Sequence, residues 1–422
     1  MADNLLDKAS ILLTPTAYSD GSMLSVKPEN GDGDFTFSRS SAATRVNASG
    51  NIVTESANIS RIDYTDGCGS SLLEPQSTNY SQNSEQPSTW HSSGGVTITA
   101  NATTSPEGLQ NSSLVVVNAS SGNVYARNVF HFSSGSGLHT VTTSYFIKYY
   151  NNQWIRLKSI FFNGIPANNV STYFDIQNGV IGTVNANHTA KIEDYGNGWY
   201  RCSITFDIDK SVDSNGYTHI EAMDGDNSNT YAAIGQGFYA YGSQGEELSY
   251  PTSYIPTGGA IATRLQDIAN NSGNSSLINS TEGVLYFEGS ALANYNLQRF
   301  IALSDGTHNN TIKLGVLNST TRYKIAFEVR AVGVTQAYLA YDFGAVQPTF
   351  KKCAVKYKQN DFALWIDGVE VATDTSGSVP IGLNSLRFTR GNSAQKFEGK
   401  AKALAVFKEA LTDAQLQSLT TQ

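Results

Sequence analysis

Short runs of alternating apolar and polar residues, separated by turn residues, fill most of this 422-residue chain. Between residues 84 and 257 such runs include Val96–Ala100, Trp154–Ile160 and Trp199–Ile208. No long segment shows an apolar period of 3.6 residues, which an amphipathic helix would need. Many short strands at this spacing predict an all-β protein built from β-sandwich (jelly-roll) domains.

A second series of strand-like runs occupies residues 280–422. Its most informative stretch is Phe362–Val371, where Asp367-Gly368 predicts a tight hairpin turn between two alternating strands. Alternation places Phe362, Leu364 and Ile366 on one face of the first strand and Trp365 on the other face. This series predicts a second β-sandwich.

The C-terminus carries a helix-start signal. Thr412 is followed three residues later by Gln415, which is the pattern of a capping box. We therefore expect a short C-terminal helix whose Leu416 and Leu419 face the second sandwich.

The N-terminal 80 residues are too polar to form a core of their own. Apolar residues from Phe35 to Tyr80 come singly or in pairs among Ser, Asn, Thr and Gly. A segment of this kind needs another surface to bury against, so we predict a β-rich anchoring or assembly element. The predicted division of the chain is an anchoring segment (1–80), a first sandwich (81–257), a Gly-, Ser- and Asn-rich linker (258–279) and a second sandwich (280–422).

Charge and terminal sequence narrow the classes of partner. A net charge of -8 and a pI near 5.3, without a run of Lys and Arg, argue against nucleic acid. The N-terminus MADNLLDKAS is charged and lacks the apolar region of a signal peptide, and no stretch approaches transmembrane length. We expect a protein made in a cytoplasm, without membrane insertion.

Two separated motifs resemble virion appendage (tail or head fibre-type) proteins of tailed bacteriophages. The first is Phe37–Ile52 with Arg61–Tyr64 and Leu72–Asn79, similar to F-T-R-x-S-x-A-T-R-V-N-x-x-G-x-I, R-I-D-Y and L-L-L-E-P-Q-x-T-N. Ser71 takes the place of the first leucine of the usual triplet. The second is Pro251–Thr257 (PTSYIPT), followed by Ala-Thr-Arg. The resemblance implies a virion location, other virion proteins as partners and a homotrimer, with release by lysis.

The two predicted sandwiches each resemble a sugar-binding fold. The first is similar to carbohydrate-binding modules at Tyr145–Lys148, Gly196–Arg201 and Tyr239–Gln244. The second resembles the concanavalin-A-like, laminin-G-type lectin fold over its whole length, most specifically in its closing strand and helix. Both resemblances imply binding of a host cell-surface glycan.

Sugar binding needs aromatic faces that stack on the ring and planar polar groups that bond to its hydroxyls. Trp365 lies opposite the predicted core face of its strand and is a candidate, although a neighbouring loop or subunit covering it is an equally open interpretation. Trp199 and Trp154 are further candidates, with a structural role as the alternative for Trp199.

The loop from Asp224 to Asn229 is rich in oxygen atoms. Asp224 and Asp226, at alternate positions, suit a structural calcium ion, and the same residues suit an ordinary turn. We expect no other cofactor.

The expected function is that of a non-enzymatic appendage protein that binds host surface glycan, located in the virion. A purely structural decoration or adaptor subunit is the first alternative. A polysaccharide depolymerase is the second, although no Glu-x-Asp-x-x-Glu strand, HExxH or nucleophile elbow occurs.

Overall fold

In a computed structural model of the protein, the structure describes residues 5–164, 166, 168–213, 215–292, 297–318, 322–345 and 349–421. Nearly all regular structure in this part of the chain is β-strand, with a short α-helix close to the C-terminus. The prediction of an all-β protein with sandwich domains and a short C-terminal helix is therefore confirmed. None of the helices found in the described ranges has the length and apolar character needed to span a membrane.

The strands are numbered in chain order. The first set is β1 (Ile11–Leu13), β2 (Tyr18–Ser19), β3 (Ser22–Met23), β4 (Phe35–Ser38), β5 (Ala43–Val46), β6 (Ile52–Glu55), β7 (Arg61–Asp63), β8 (Ser70–Leu73), β9 (Ser77–Asn79), β10 (His91–Ser92) and β11 (Val96–Thr103). The second set is β12 (Ser112–Val117), β13 (Ala126–His131), β14 (Leu138–Tyr149), β15 (Trp154–Ile160), β16 (Val170–Asp175), β17 (Val180–Ile181), β18 (Thr189–Asp194), β19 (Trp199–Asp209), β20 (Asn215–Met223), β21 (Gly237–Glu246) and β22 (Ala262–Arg264).

The third set is β23 (Ile268–Asn270), β24 (Glu282–Ala291), β25 (Gln298–Ser304), β26 (Thr311–Asn318), β27 (Tyr323–Ala331), β28 (Val334–Asp342), β29 (Lys351–Lys358), β30 (Asp361–Ile366), β31 (Val369–Asp374), β32 (Ser385–Arg387) and β33 (Gly399–Phe407). The helices are the 3-10 segments Leu5–Lys8 and Pro87–Thr89 and the α-helix α1 (Asp413–Thr420).

The chain divides into two compact units, and the division differs from the predicted domain ranges. Unit 1 comprises residues 1–42, 55–75 and 265–422, and unit 2 comprises residues 43–54 and 76–264. The predicted anchoring segment thus contributes strands to each unit. The predicted linker likewise contains two strands, because β22 pairs with β9 in unit 2 and β23 pairs with β4 in unit 1.

Unit 1 contains a sandwich. One sheet has the order β31-β30-β29-β24-β33-β8-β7, with β1 also on β33, and the other has the order β28-β27-β26-β25-β32. Their inner faces share one apolar core, which includes Leu285, Ile301, Phe327 and Leu364. The turn at Asp367-Gly368 has positive φ at both residues, as a tight hairpin turn needs, so the predicted hairpin is confirmed.

The C-terminal helix forms as predicted. Thr412 accepts a hydrogen bond from the Gln415 backbone N–H, and the Gln415 side chain accepts one from the Thr412 backbone N–H. Leu416 and Leu419 are buried. Helix α1 lies against β29, β30 and β31.

A buried ionic cluster stabilises unit 1, and we call Arg39, Arg61, Glu74 and Asp267 the closed cluster. The Arg39 Nη1–Asp267 Oδ1 distance is 3.1 Å and the Arg61 Nη1–Glu74 Oε2 distance is 2.7 Å, and Arg61 also pairs with Asp267. All four side chains are nearly inaccessible to solvent. Burial would lower the pKa of Arg61, but the carboxylates of Asp267 and Glu74 hold that pKa above its ordinary value. Three of the motif segments thus supply residues to structural ion pairs.

Unit 2 is the other sandwich. One sheet has the order β10-β13-β20-β15-β16-β17 and the other has the order β11-β12-β21-β14-β19-β18. The hairpin of β5 and β6 places Val46 and Ile52 with Phe146 and Trp199, on the side of the second sheet away from the core. The PTSYIPT segment adds Tyr254 to the same cluster. The second sheet is therefore covered on its outer side by motif residues.

Candidate functional site

The outer side of the sheet β10-β13-β20-β15-β16-β17 carries charged and aromatic side chains. In β15 the core takes Ile155 and Leu157, so the residues between and beside them point outward. In β20 the core takes Ile220 and Ala222, with the same consequence. We call this outer surface the arginine–tyrosine face; its members are Tyr125, Arg127, Trp154, Arg156, Lys158, Tyr173, Tyr217, His219 and Glu221.

Strand register brings these residues into rows. Lys158 and Arg127 both lie opposite His219, on its two sides. Arg156 lies between Glu221 and Tyr173 in the next row. Cross-strand neighbours on one face are close enough for their side chains to touch.

An ion-paired network lies at the base of the face. Arg156 donates from Nε to Glu221, and its Nη1 lies 3.4 Å from Tyr173 Oη. His219 Nδ1 is 3.3 Å from the other carboxylate oxygen of Glu221. Burial would raise the pKa of Glu221, but His219 and Arg156 hold that pKa below its ordinary value. Glu221 is thus an ionised hydrogen-bond acceptor.

His219 is neutral at pH 7. Burial lowers the pKa of its imidazole, and the charges of Arg127 and Lys158 act in the same direction against Glu221. Its ring stacks on Tyr125, with 3.8 Å between ring centroids and 22° between planes. The stack fixes the orientation of both rings.

Arg127 lies over the aromatic rings of the face. Its guanidinium carbon is 3.8 Å from the Tyr217 ring centroid and 5.3 Å from that of Tyr125. Phe161, 55 % exposed, meets Tyr217 edge to face at 5.3 Å. The Arg127 Nε atom is buried and has no hydrogen-bond partner in the described part of the chain. Cation–π contact orients this fork of donors, and its Nη1 lies 3.5 Å from His219 Nε2.

Of the three predicted tryptophans, the structure places Trp154 on this face. It is half-buried and lies opposite Met223 and Asp175 on the neighbouring strands. A Cβ added at Gly182 would be 2.6 Å from the indole, so a glycine is needed where that chain crosses the ring. The glycan-binding role of Trp154 stays a prediction.

For Trp365, the structure corrects the predicted role in glycan binding. It does lie opposite Phe362, Leu364 and Ile366, as alternation predicts, but that side of the sheet is covered. The indole is 6 % exposed and packs with Leu416 and other buried apolar residues. A buried ring has no face for a sugar, so Trp365 packs the sandwich against helix α1.

Trp199 is buried as well. It is 1 % exposed, and its Nε1 donates to the Thr104 carbonyl at 3.0 Å. It belongs to the cluster beneath the β5–β6 hairpin. Trp199 therefore has the structural role that was the alternative to glycan binding.

The predicted calcium loop uses one of its carboxylates internally. Asp226 accepts from the Thr183 N–H at 2.8 Å and the Thr183 hydroxyl at 3.0 Å. The Asp224 backbone N–H donates to the Thr230 carbonyl at 3.2 Å. Throughout the described ranges, no group of three or more His, Cys, Asp or Glu residues is arranged to hold a metal ion.

Sequence reasoning missed the central residues of the face. Arg127, His219 and Glu221 lie on β13 and β20, which were not among the predicted strands. The alternation of Tyr217, His219 and Glu221 with Thr218, Ile220 and Ala222 is the signal that could have found β20.

Comparison with known proteins bears on unit 1. Residues 291–417 match the family model Laminin_G_3, described as the concanavalin A-like lectin/glucanases superfamily. Unit 1 therefore contains a lectin-like β-sandwich, as the resemblance implied. No curated protein matches the chain.

Several solved structures are similar to part of the chain. The CBM40 domain of Ruminococcus gnavus IT-sialidase is 16% identical over 36% of this chain and 93% of its own, with a TM-score of 0.28. The leech intramolecular trans-sialidase is 20% identical over 36% of this chain and 26% of its own, with a TM-score of 0.28. A variant of NanB sialidase from Streptococcus pneumoniae is 16% identical over 35% of this chain and 26% of its own, with a TM-score of 0.29. Likenesses at this identity and TM-score assign no function.

Proposed function

We propose that the protein is a non-enzymatic glycan-binding protein and that the arginine–tyrosine face of unit 2 holds the sugar. The observation that carries this proposal is the half-buried Arg127, which is held over Tyr217 and Tyr125 and has no ion pair with a carboxylate of the described chain. Rings for stacking and planar polar groups for hydroxyls are the elements of a sugar site. The lectin-like sandwich of unit 1 is consistent with the same role.

The charge of the face favours an acidic sugar. Arg127 and Lys158 form no ion pair with a carboxylate in the described chain, whereas Glu221 is already paired with Arg156. A carboxylate on a sugar would supply the missing counter-charge, and a guanidinium fork suits its two oxygens.

The carboxylates of the face support binding without cleavage. Glycoside hydrolysis needs one carboxylic acid with a raised pKa to protonate the leaving oxygen. Glu221 has a lowered pKa, and so has Asp175, whose burial is offset by bonds from Asn178 and Gln153. These two groups stay ionised and accept hydrogen bonds.

We further propose that the protein is a bacteriophage virion appendage that assembles as a homotrimer and attaches to host surface glycan. The support is the resemblance of Phe37–Asn79 and Pro251–Thr257 to such proteins. Three copies would let weak sites give firm attachment through multivalency. Light scattering tests the trimer, and immunogold labelling of virions tests the location.

The glycan proposal is tested with the full chain on immobilised bacterial surface polysaccharides, neutral and acidic. Retention and newly released reducing ends are measured together. We expect retention without release, and loss of retention in Tyr217→Ala. Tyr150→Ala is the matched control, because Tyr150 is an exposed tyrosine of unit 2 outside the face.

Two outcomes would change the proposal. Release of reducing ends would replace binding by depolymerisation. Failure of the folded protein to be retained by any polysaccharide would favour a purely structural decoration or adaptor subunit.

A further inference from the structure

A second charged surface lies in unit 1, on the outer side of the sheet β28-β27-β26-β25-β32. The core takes Ile301 and Leu303 from β25 and Ile312 and Leu314 from β26. Ala302 and Lys313, which alternate with them, therefore lie on the other side. This sheet lies within residues 291–417, which match the lectin family model.

Register gathers basic residues on this side. Lys313 lies between Ala302 and Glu328, and Ala302 lies next to Arg387. In the adjacent row, Arg330 lies opposite Thr311. The fully buried Ala302 separates Lys313 from Arg387 in this row. We call Lys313, Arg330, Arg387 and Arg390 the basic face.

The basic face carries four cations and one carboxylate. Lys313 Nζ is 2.7 Å from Glu328 Oε2, and Arg330 Nη1 is 3.3 Å from Glu328 Oε1. Arg387 and Arg390 have no ion pair or side-chain hydrogen bond with any described residue, and the Nε atom of each is buried. These two half-exposed guanidinium groups therefore keep donors that an anion can use.

Buried hydroxyls on the same side also lack partners. Thr311 is 0 % exposed and Thr389 is 1 % exposed, and neither Oγ1 atom has a hydrogen-bond partner in the described chain. Thr389 continues the alternation of β32, because Phe388 before it enters the core. Hydroxyl donors beside guanidinium groups are suited to an oxyanion.

His308 reports the positive potential of this surface. Its Nδ1 atom is buried without a partner. Burial, with Lys313, Arg390 and Arg330, lowers the pKa of its imidazole to about 4, against Glu328. Burial also lowers the pKa of Lys313, although Glu328 opposes this. The positive potential of this surface thus disfavours protonation of His308 and favours binding of an anion.

We propose that the basic face is a second ligand site, which binds an acidic substituent of a glycan: a carboxylate, sulfate or phosphate group. Arg387 and Arg390 supply the forks, and the hydroxyls of Thr311 and Thr389 supply shorter donors. This site is independent of the arginine–tyrosine face, because it uses other residues in the other unit.

The first test measures retention of polygalacturonate by the full chain. In the Tyr217→Ala background, which removes binding by the arginine–tyrosine face, we expect the double variant Arg387→Gln/Arg390→Gln to lose at least tenfold in affinity. We expect methyl-esterified polygalacturonate, which has no charge, to bind at this site neither with nor without the double substitution. Arg322→Gln is the matched control, since Arg322 is an exposed arginine directly before β27, 2.7 Å from Asp342. Tyr217→Ala should still bind polygalacturonate through the basic face, which separates this proposal from that for unit 2.

The second test uses the imidazole of His308. A bound anion would raise its pKa toward the ordinary value of 6.5. Nuclear magnetic resonance titration with and without polygalacturonate should show this rise, with His308→Gln identifying the signal. Because Arg387 and Arg390 lack partners, the double variant should fold with unchanged unfolding temperature.

Three results would overturn the proposal. One is equal retention of polygalacturonate with and without the double substitution in the Tyr217→Ala background. Another is an unchanged pKa of His308 with saturating polygalacturonate. The third is a rise caused by inorganic sulfate but not by polygalacturonate, which would mean an adventitious ion only.

Discussion

The closed cluster of unit 1 and the Arg156–Glu221 pair of unit 2 both join arginines to carboxylates, but their surroundings differ. In the closed cluster of unit 1, Asp267 accepts from Arg39, from Arg61 and from the Glu74 backbone N–H. On the arginine–tyrosine face of unit 2, Arg156 and Glu221 form a similar pair, but half-exposed aromatic rings and Arg127 lie beside them.

The comparison shows that an arginine–carboxylate ion pair does not by itself identify a functional site. Buried pairs hold distant chain segments in register, as Asp267 does for Arg39 and Arg61. A pair becomes part of a candidate site when adjacent donors remain available and solvent can reach them. The half-buried guanidinium of Arg127, which has no carboxylate partner in the described chain, distinguishes the second case.

The largest expected effect is on the closed cluster. Asp267→Asn would leave Arg39 without its carboxylate partner, and loss of one partner from a buried pair costs about 3–5 kcal/mol. Urea unfolding, with hydrogen exchange of peptides from β4 and β7, should show the loss in unit 1. Asp342→Asn, which breaks an exposed pair with Arg322, should leave the midpoint unchanged. Lost glycan retention in folded Asp267→Asn would contradict the structural role.

Acid should weaken unit 2 through its neutral histidines. Burial lowers the pKa of His188 to about 4. The unfolded state then binds the proton more readily, so the free energy of unfolding should fall as the pH drops from about 6.5 to 4. The difference between the two pKa values corresponds to about 3 kcal/mol. His219, whose pKa burial also lowers, acts in the same direction.

The measurement is urea unfolding of the wild type and His188→Gln at a series of pH values. Glutamine can still meet the hydroxyls of Ser159 and Thr172, each 3.0 Å from an imidazole nitrogen. A variant with the same pH dependence as the wild type would show that His188 is not the group responsible.

The next largest expected effect tests the role of Arg127 in glycan affinity. Arg127→Lys keeps the charge but removes the planar fork, so we expect about a tenfold loss of glycan affinity, or roughly 1.4 kcal/mol. Stability should not change, since Arg127 has no carboxylate partner in the described chain. Calorimetry on a retained glycan gives the affinity, and undiminished binding would show that charge alone is sufficient.

The smallest expected effect concerns Trp154. Trp154→Ala removes an aromatic contact worth about 0.5–1.5 kcal/mol, so affinity should fall a few-fold. Trp154→Phe should restore most of it. If neither variant alters binding, the sugar does not reach this end of the face.

Local patterns predicted much of the fold. The hairpin at Asp367-Gly368, the capping box at Thr412 and the burial of Leu416 are all properties of neighbouring residues, and all are confirmed. The candidate site was harder to predict because its contacts are distant in sequence. Arg156 and Glu221 are 65 residues apart, and only the pairing of β15 with β20 brings them together.

Trp365 and Trp154 show which features the sequence determines and which depend on the tertiary structure. Alternation along a strand determined that Trp365 lies opposite Phe362 and Leu364, because successive side chains point to opposite faces. It could not determine that α1 packs over Trp365 and buries it, while Trp154 stays half-exposed. Whether another element covers a face depends on contacts between segments far apart in the chain, and only the folded protein decides those contacts.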